Sequence, residues 1–241
     1  VLSTPGTELQ HAQNVILAAK QAGVQQIIYS SVLKTGLHEL FPSWGKVKEG
    51  PFGEYWMSKD AIEKAVRESG VRYWTIIRPG FFMSNFLRPT SAYMFPELAS
   101  KGVLKSAYEK QTRLALLDSG DVGSVVVTVF VEPERWAERE MDVAAEEVSV
   151  DEVVRILGEV IGKKVRIEGY EKSELVRLEE ENPMVTSQVL TVKLDADKEG
   201  RFKADLEAMN EFGVKMTTFR EFLQRSKQIG VLQNDIGGPL I

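Results

Sequence analysis

The chain has 241 residues, 43% hydrophobic and 27% charged, which suits one large α/β domain or a domain with a small appended lobe, and its net charge of −5 argues against nucleic-acid binding as a dominant role. The absence of cysteine excludes disulfides, thiolate nucleophiles and Cys-ligated metals, and His11 and His38 are the only imidazoles, so no metal site is expected. No apolar run approaches about 18 residues and no signal-peptide pattern opens the chain, so it reads as a soluble, cytoplasmic protein with no membrane partner.

Val1-Leu2-Ser3-Thr4 has the pattern of a buried strand's end and lacks an initiator Met, so a missing N-terminal part is expected. Thr7-Glu8-Leu9-Gln10 fits a capping box, and Ala12, Val15, Ile16, Ala19 and Ala22 continue at helical spacing to a stop at Gly23. Val24–Ser31 reads as a short strand ending in two hydroxyls. Residues 32–54, rich in Gly, Pro and aromatics, read as a long loop of the kind that forms a lid or pocket wall. A helix is predicted from Tyr55 to Ser69 with Gly70 as its stop, then a strand over Val71–Pro79 ended by its proline. This alternation, with mostly apolar strands, predicts a parallel sheet covered on both faces.

Further on, "RLALLDSGDVGSVVVTVFVEP" predicts a strand, a turn at Asp118–Gly123 and a helix closed near Pro133. "MDVAAEEVSVDEVVRILGEVIGKKVRIEGY" predicts a strand, a capping box at Ser149-x-x-Glu152, a helix, Gly162 and another strand. Residues 171–200 read as a helix plus a loop, Thr218-x-x-Glu221 caps a last helix, and the Gly237-Gly238-Pro239 tail reads as frayed.

Tyr55 and Lys59, four apart, share one helix face. A phenol beside an ammonium can exchange protons near neutrality, and an ammonium can also donate hydrogen bonds to sugar hydroxyls. With six Tyr and 17 Lys in the chain, chance alone supplies about 0.4 such pairs. Spacing by itself is therefore close to coincidence. Position adds weight: Thr4, Ser31 and Arg78-Pro79-Gly80 all fall at predicted strand ends, and open α/β sheets bind ligands beyond the carboxyl ends of their strands.

"TELQHAQNVILAAKQAGVQQIIYSSV", "YWMSKDAIEKAVRESGVRYWTIIRPGFFMSNF", "LLDSGDVGSVVVTVFVEP" and "MDVAAEEVSVDEVVRILGEVIGKKV" resemble the NmrA-like family, atypical members of the short-chain dehydrogenase/reductase superfamily. The resemblance implies an α/β Rossmann-type parallel sheet, with its N-terminal βα units missing, in residues 1–140. Residues 141–241 would form a small α+β substrate lobe interleaved with it. It also implies NADP(H). Thr4, Ser30, Ser31, Val32, Lys59, Pro79, Gly80 and Phe81 would line the cofactor, with Lys59 on the nicotinamide ribose. Tyr55, Lys59 and Ser31 would form the catalytic set. His38, Phe41, Trp44, Phe82 and Asn85 would face the substrate, while core packing is the competing reading for the aromatics and suits Phe81 better than Trp44.

Two departures stand out. Val32 occupies a position where catalytic superfamily members often carry another small hydroxyl residue, and no G-x-G-x-x-G or G-x-x-G-x-x-G run occurs anywhere. Binding of NADP(H) by this chain alone is therefore not expected. The leading expectation is an NADPH-dependent oxidoreductase acting on a small carbonyl or conjugated compound. The alternatives are a non-catalytic NADP(H) redox sensor that regulates a partner protein, and a truncated paralogue without cofactor binding. Substrate and oligomeric state are left open by the sequence.

Overall fold

A computed structural model of the chain describes residues 6–41, 44–196 and 203–228. The strand at Val1–Thr4, the cofactor role of Thr4 and the frayed tail at Gly237-Gly238-Pro239 lie outside the described residues. In chain order the elements begin with α1 (Glu8–Gln21), β1 (Gln26–Ser30), α2 (Trp44–Val47), α3 (Pro51–Arg67) and β2 (Tyr73–Pro79). They continue with β3 (Phe81–Phe82), α4 (Ser91–Met94), α5 (Pro96–Lys101), β4 (Val103–Ser106), β5 (Arg113–Leu117), α6 (Ser119–Val131), α7 (Pro133–Trp136) and β6 (Arg139–Val143). The last are β7 (Glu146–Ser149), α8 (Val150–Ile161), β8 (Arg166–Gly169), α9 (Lys172–Glu181), α10 (Pro183–Asp195) and α11 (Phe219–Gln228).

The chain divides into two compact units, Val1–Pro79 with Val122–Val143, and Gly80–Asp121 with Ala144–Ile241. In the first, β1, β2 and β6 form a parallel sheet in that order, with Ser30 opposite Ile77 and Pro79 opposite Val143. Parallel neighbours need a crossover connection, and α3 supplies the one from β1 to β2. Ile76 packs with Ile62 and Val66 of α3 and with Leu9, Ala12 and Ile16 of α1. Strand alternation turns Thr75 to the opposite face, where its hydroxyl donates to the Trp136 carbonyl at 2.7 Å. Both faces are thus covered, as the apolar strands predict.

The second unit holds a β3-β5-β7 sheet, parallel at β3–β5 and antiparallel at β5–β7, and a parallel β4–β8 pair. Its core gathers Val150, Val153, Val154, Ile156, Leu157 and Val160 of α8 against Phe219, Phe222 and Leu223 of α11. Among the described residues no helix is long and apolar enough to cross a membrane.

Several local expectations are corrected. The helix predicted from Tyr55 begins at Pro51, because Gly50 supplies an extended N-cap and Pro51 a pre-set first helical φ. Residues 32–54 are not structureless: they contain a 3₁₀ turn at His38–Leu40 and the short α2 before α3 begins. Asp118–Gly123 is mostly helix, since α6 starts at Ser119 and the Asp118 carboxylate accepts the Gly120 N–H at 3.0 Å. The predicted strand before Ser149 is two strands, β6 and β7, and residues 171–195 form two helices. Thr7 gives α1 no side-chain cap, whereas Ser149 accepts the Glu152 N–H at 3.3 Å and Thr218 and Glu221 cap each other reciprocally.

Candidate functional site

The first unit brings Tyr55 and Lys59 into contact, and the first half of α3, which carries them, follows the loop that leaves the carboxyl end of β1. The Lys59 Nζ lies 5.4 Å from the centre of the Tyr55 ring and 5.8 Å from that of Tyr29. Its short bond goes elsewhere, to Glu8 Oε1 at 2.6 Å. The Ser58 hydroxyl donates to the other Glu8 oxygen at 3.3 Å. Lys59 is therefore an ion-paired ammonium boxed by two aromatic faces, a cation–π arrangement.

This geometry leaves the Tyr55 phenol without activation by the ammonium. Its pKa is pushed up to about 12, by desolvation first and by the Glu8 carboxylate second. Tyr55 still exposes 44% of its surface, so the penalty reflects the protein crowded around one side of it. The phenol is protonated throughout the physiological range, which suits a proton donor and not a base. Tyr29 is likewise raised, chiefly by burial and then by Glu8, and its hydroxyl is buried beside Ser31 without a hydrogen bond of normal geometry.

The loop after β1 is strapped to the carboxyl ends of the sheet. The Ser31 N–H donates to the Ile77 carbonyl at 2.7 Å, and the Leu33 N–H to that of Pro79 at 3.0 Å. Lys34, at φ +67, donates through Nζ to Asp142 Oδ2 at 2.5 Å and through its backbone N–H to Oδ1 at 3.3 Å. Ser30 is exposed and Ser31 buried; the Ser31 hydroxyl donates to that of Thr35 at 3.3 Å, and Thr35 donates to the Val32 carbonyl at 2.8 Å. Among the described residues no hydrogen bond joins Ser31, Tyr55 and Lys59 to one another.

Beneath the strap lies a charge network. Fully buried Glu63 accepts Arg78 at 2.9 and 2.5 Å and Arg67 at 2.8 Å. Glu140 accepts Arg67 at 2.5 Å and Arg78 at 2.5 Å, and the Arg67 bond above all holds its carboxyl below the usual range.

The aromatic loop folds back on α3. His38 is buried and meets Trp44 edge-on at 5.0 Å, and buried Phe41 meets Trp56 at 5.0 Å. The His38 Nδ1 and the Trp56 Nε1 are both buried without a hydrogen-bond partner among the described residues. At Gly53, within α3, a Cβ would lie 2.2 Å from the Lys48 carbonyl oxygen, so only glycine admits that approach.

The second unit takes the remaining residues. Gly80, Phe81, Phe82 and Asn85 belong to it, with Phe81 packed against its core and 5.6 Å from Phe86. Glu8, Ser58, Lys34 and Asp142 escaped the sequence reading. Of these only Glu8 left a signal, an acidic residue in a helix's first turn, and that signal points to its own helix, not to Lys59.

The model of the NmrA-like family matches residues 1–223. The chain belongs to the NmrA-like family. Among solved structures, this NmrA-like fold resembles the negative transcriptional regulator NmrA in complex with NADP, at TM-score 0.68 and 19% identity, over 95% of this chain and 72% of that one. It also resembles the NADPH-dependent quinone oxidoreductase QOR2 of Escherichia coli complexed with NADPH, at TM-score 0.66 and 22% identity, over 93% and 73%. In sequence it is 28% identical over 158 residues to a (4-alkanoyl-5-oxo-2,5-dihydrofuran-3-yl)methyl phosphate reductase of Streptomyces griseus, covering 65% of this chain and 49% of the relative. The uncharacterized oxidoreductase YesF of Bacillus subtilis is 25% identical over 115 residues, 48% of this chain and 38% of the relative. The NmrA-like chain thus spans about half the length, or less, of the curated relatives it matches.

Proposed function

We propose that this NmrA-like chain supplies the nicotinamide side of an NADP(H) site in a reductase of small carbonyl or conjugated compounds. The observation that carries the reading is Lys59, held on the first half of α3 by Glu8 between the faces of Tyr29 and Tyr55. An anchored ammonium keeps N–H groups for a sugar hydroxyl. The strapped Ser31–Val32 segment and Pro79 sit at the carboxyl ends of β1 and β2, where open α/β sheets take their ligands. These residues fit the ribose and nicotinamide end of the cofactor; the chain has no glycine turn for its pyrophosphate.

When bound, NADPH supplies the hydride. Lys59 would donate to a ribose hydroxyl, the backbone of Ser31, Val32 and Pro79 would border the ring, and Tyr55 would deliver its proton to the oxygen of the reduced carbonyl. A phenol pushed up to about 12 stays protonated at neutral pH and can serve as a proton source for a developing alkoxide, a far stronger base. In this reading the first unit is the cofactor side. His38, Phe41 and Trp44 form the aromatic wall of the first unit, while Phe81, Phe82 and Asn85 belong to the second.

A second reading, a redox sensor that regulates a partner protein without turnover, is favoured by one observation. The Ser31 hydroxyl is committed to Thr35 and Lys59 lies over the Tyr55 ring, so no proton relay links the three. Titration of the full-length protein with NADPH and NADP+, run beside a turnover assay on quinones and conjugated ketones, separates the two. Turnover that Tyr55→Phe abolishes supports the reductase, redox-selective binding without turnover supports the sensor, and binding of neither form refutes both.

A further inference from the structure

The Lys59 ammonium has three N–H donors, and the 2.6 Å bond to Glu8 uses one. The rings of Tyr29 and Tyr55 face the charge without consuming a directional donor. Lys59 and Glu8 are 13% and 19% exposed, so solvent screens this pair far less than a surface pair. Ser58, next to Lys59 on α3, holds the second carboxylate oxygen, so one Glu8 side chain spans two adjacent α3 residues. Glu8 stands in the first turn of α1, where its charge suits its own helix, yet its carboxylate is spent on α3. Among the described residues the site therefore offers N–H donors that Glu8 does not take, with no net positive charge. A bare ammonium attracts phosphate and other anions, whereas a neutralised one keeps its donors for hydroxyls and loses that attraction.

We propose that Glu8 is a specificity-determining residue: it keeps the Lys59 site electrically neutral, so that the site accepts an uncharged, hydroxyl-bearing group such as a sugar diol and rejects phosphate. The identity of that sugar as the cofactor's ribose rests on the function proposed above; the neutrality of the site does not. Glu8 touches the ammonium from α1, so it selects the ligand through Lys59.

Acylation of Lys59 by acetic anhydride, followed by peptide mass spectrometry, tests this with inorganic phosphate as the probe. In the wild type, phosphate leaves the Lys59 rate unchanged. In Glu8→Gln, Lys59 acylates faster and phosphate then slows it by at least about threefold, the size expected for one uncovered charge. Glu8→Asp keeps the charge and stays indifferent to phosphate. Phosphate protection of wild-type Lys59, or of Glu8→Asp as strongly as of Glu8→Gln, overturns the proposal, as does indifference in all three proteins. A second uncharged variant, Glu8→Met, takes the place of Glu8→Gln if that protein fails to fold. NADPH added to the full-length wild-type protein reports on the function separately: failure to protect Lys59 there removes the ribose reading and leaves the phosphate result standing.

Discussion

Lys59 lies over the ring of Tyr55, 5.4 Å from its centre, and gives its short 2.6 Å bond to Glu8. The two residues whose spacing first suggests a catalytic pair are thus neighbours by ring and charge, not by hydroxyl and ammonium. That relationship separates their roles. Lys59 is set to donate hydrogen bonds, and Tyr55 is set to keep its proton until a strong base takes it.

Tyr55→Phe is expected to leave NADPH affinity within about twofold of wild type, because the ring that flanks Lys59 is retained. Turnover of a conjugated ketone should fall by about 10²–10⁴-fold, the usual contribution of a positioned proton donor. Steady-state kinetics with a parallel binding titration checks both halves.

Glu63→Ala removes the fully buried partner of Arg67 and Arg78 and leaves two guanidinium groups under-compensated. Loss of about 3–5 kcal/mol of unfolding free energy is expected. The part-exposed Glu140→Ala should cost distinctly less. Urea unfolding of the two variants measures the difference.

The same network sets a pH dependence. Arg67 first, with Arg78, lowers the Glu140 carboxyl in the folded chain. A carboxyl lowered on folding contributes stability that is present above its unfolded pKa and lost as pH falls through its folded one. Melting temperature should therefore drop below the usual carboxylate range, and Glu140→Gln should flatten that acid limb. Melting curves collected from neutral to acidic pH test it.

Gly53→Ala places a methyl 2.2 Å from the Lys48 carbonyl oxygen. Because the obstacle is backbone, the preceding loop must move. A loss of about 1–3 kcal/mol is expected, with a changed fluorescence of Trp44 and Trp56, which denaturation and emission spectra would record.

Much of the fold was legible because it is written locally. The apolar run ending at Pro79 and the Gly70 stop place α3 and β2, and the matching runs imply a parallel sheet that β1, β2 and β6 form. The start of α3 was also written, in Gly50-Pro51, but the aromatic composition of the loop masked it. Glu8 was not legible in its role. Its pairing with Lys59 spans 51 residues and exists only once α1 and α3 pack together. Lys34 and Asp142, 108 residues apart, are hidden for the same reason. Capping chemistry is a local guide of limited reach: Thr218-x-x-Glu221 formed its box, while Thr7-x-x-Gln10 did not.

The most direct test of the central claim is the affinity of the full-length protein for NADPH with and without the Lys59 ammonium. Lys59→Ala, titrated by the fluorescence of the reduced nicotinamide, should bind about tenfold or more weakly than wild type, the loss of a charge-assisted hydrogen bond to the ribose. Equal affinity in a folded Lys59→Ala protein would contradict the assignment of this site to the nicotinamide ribose.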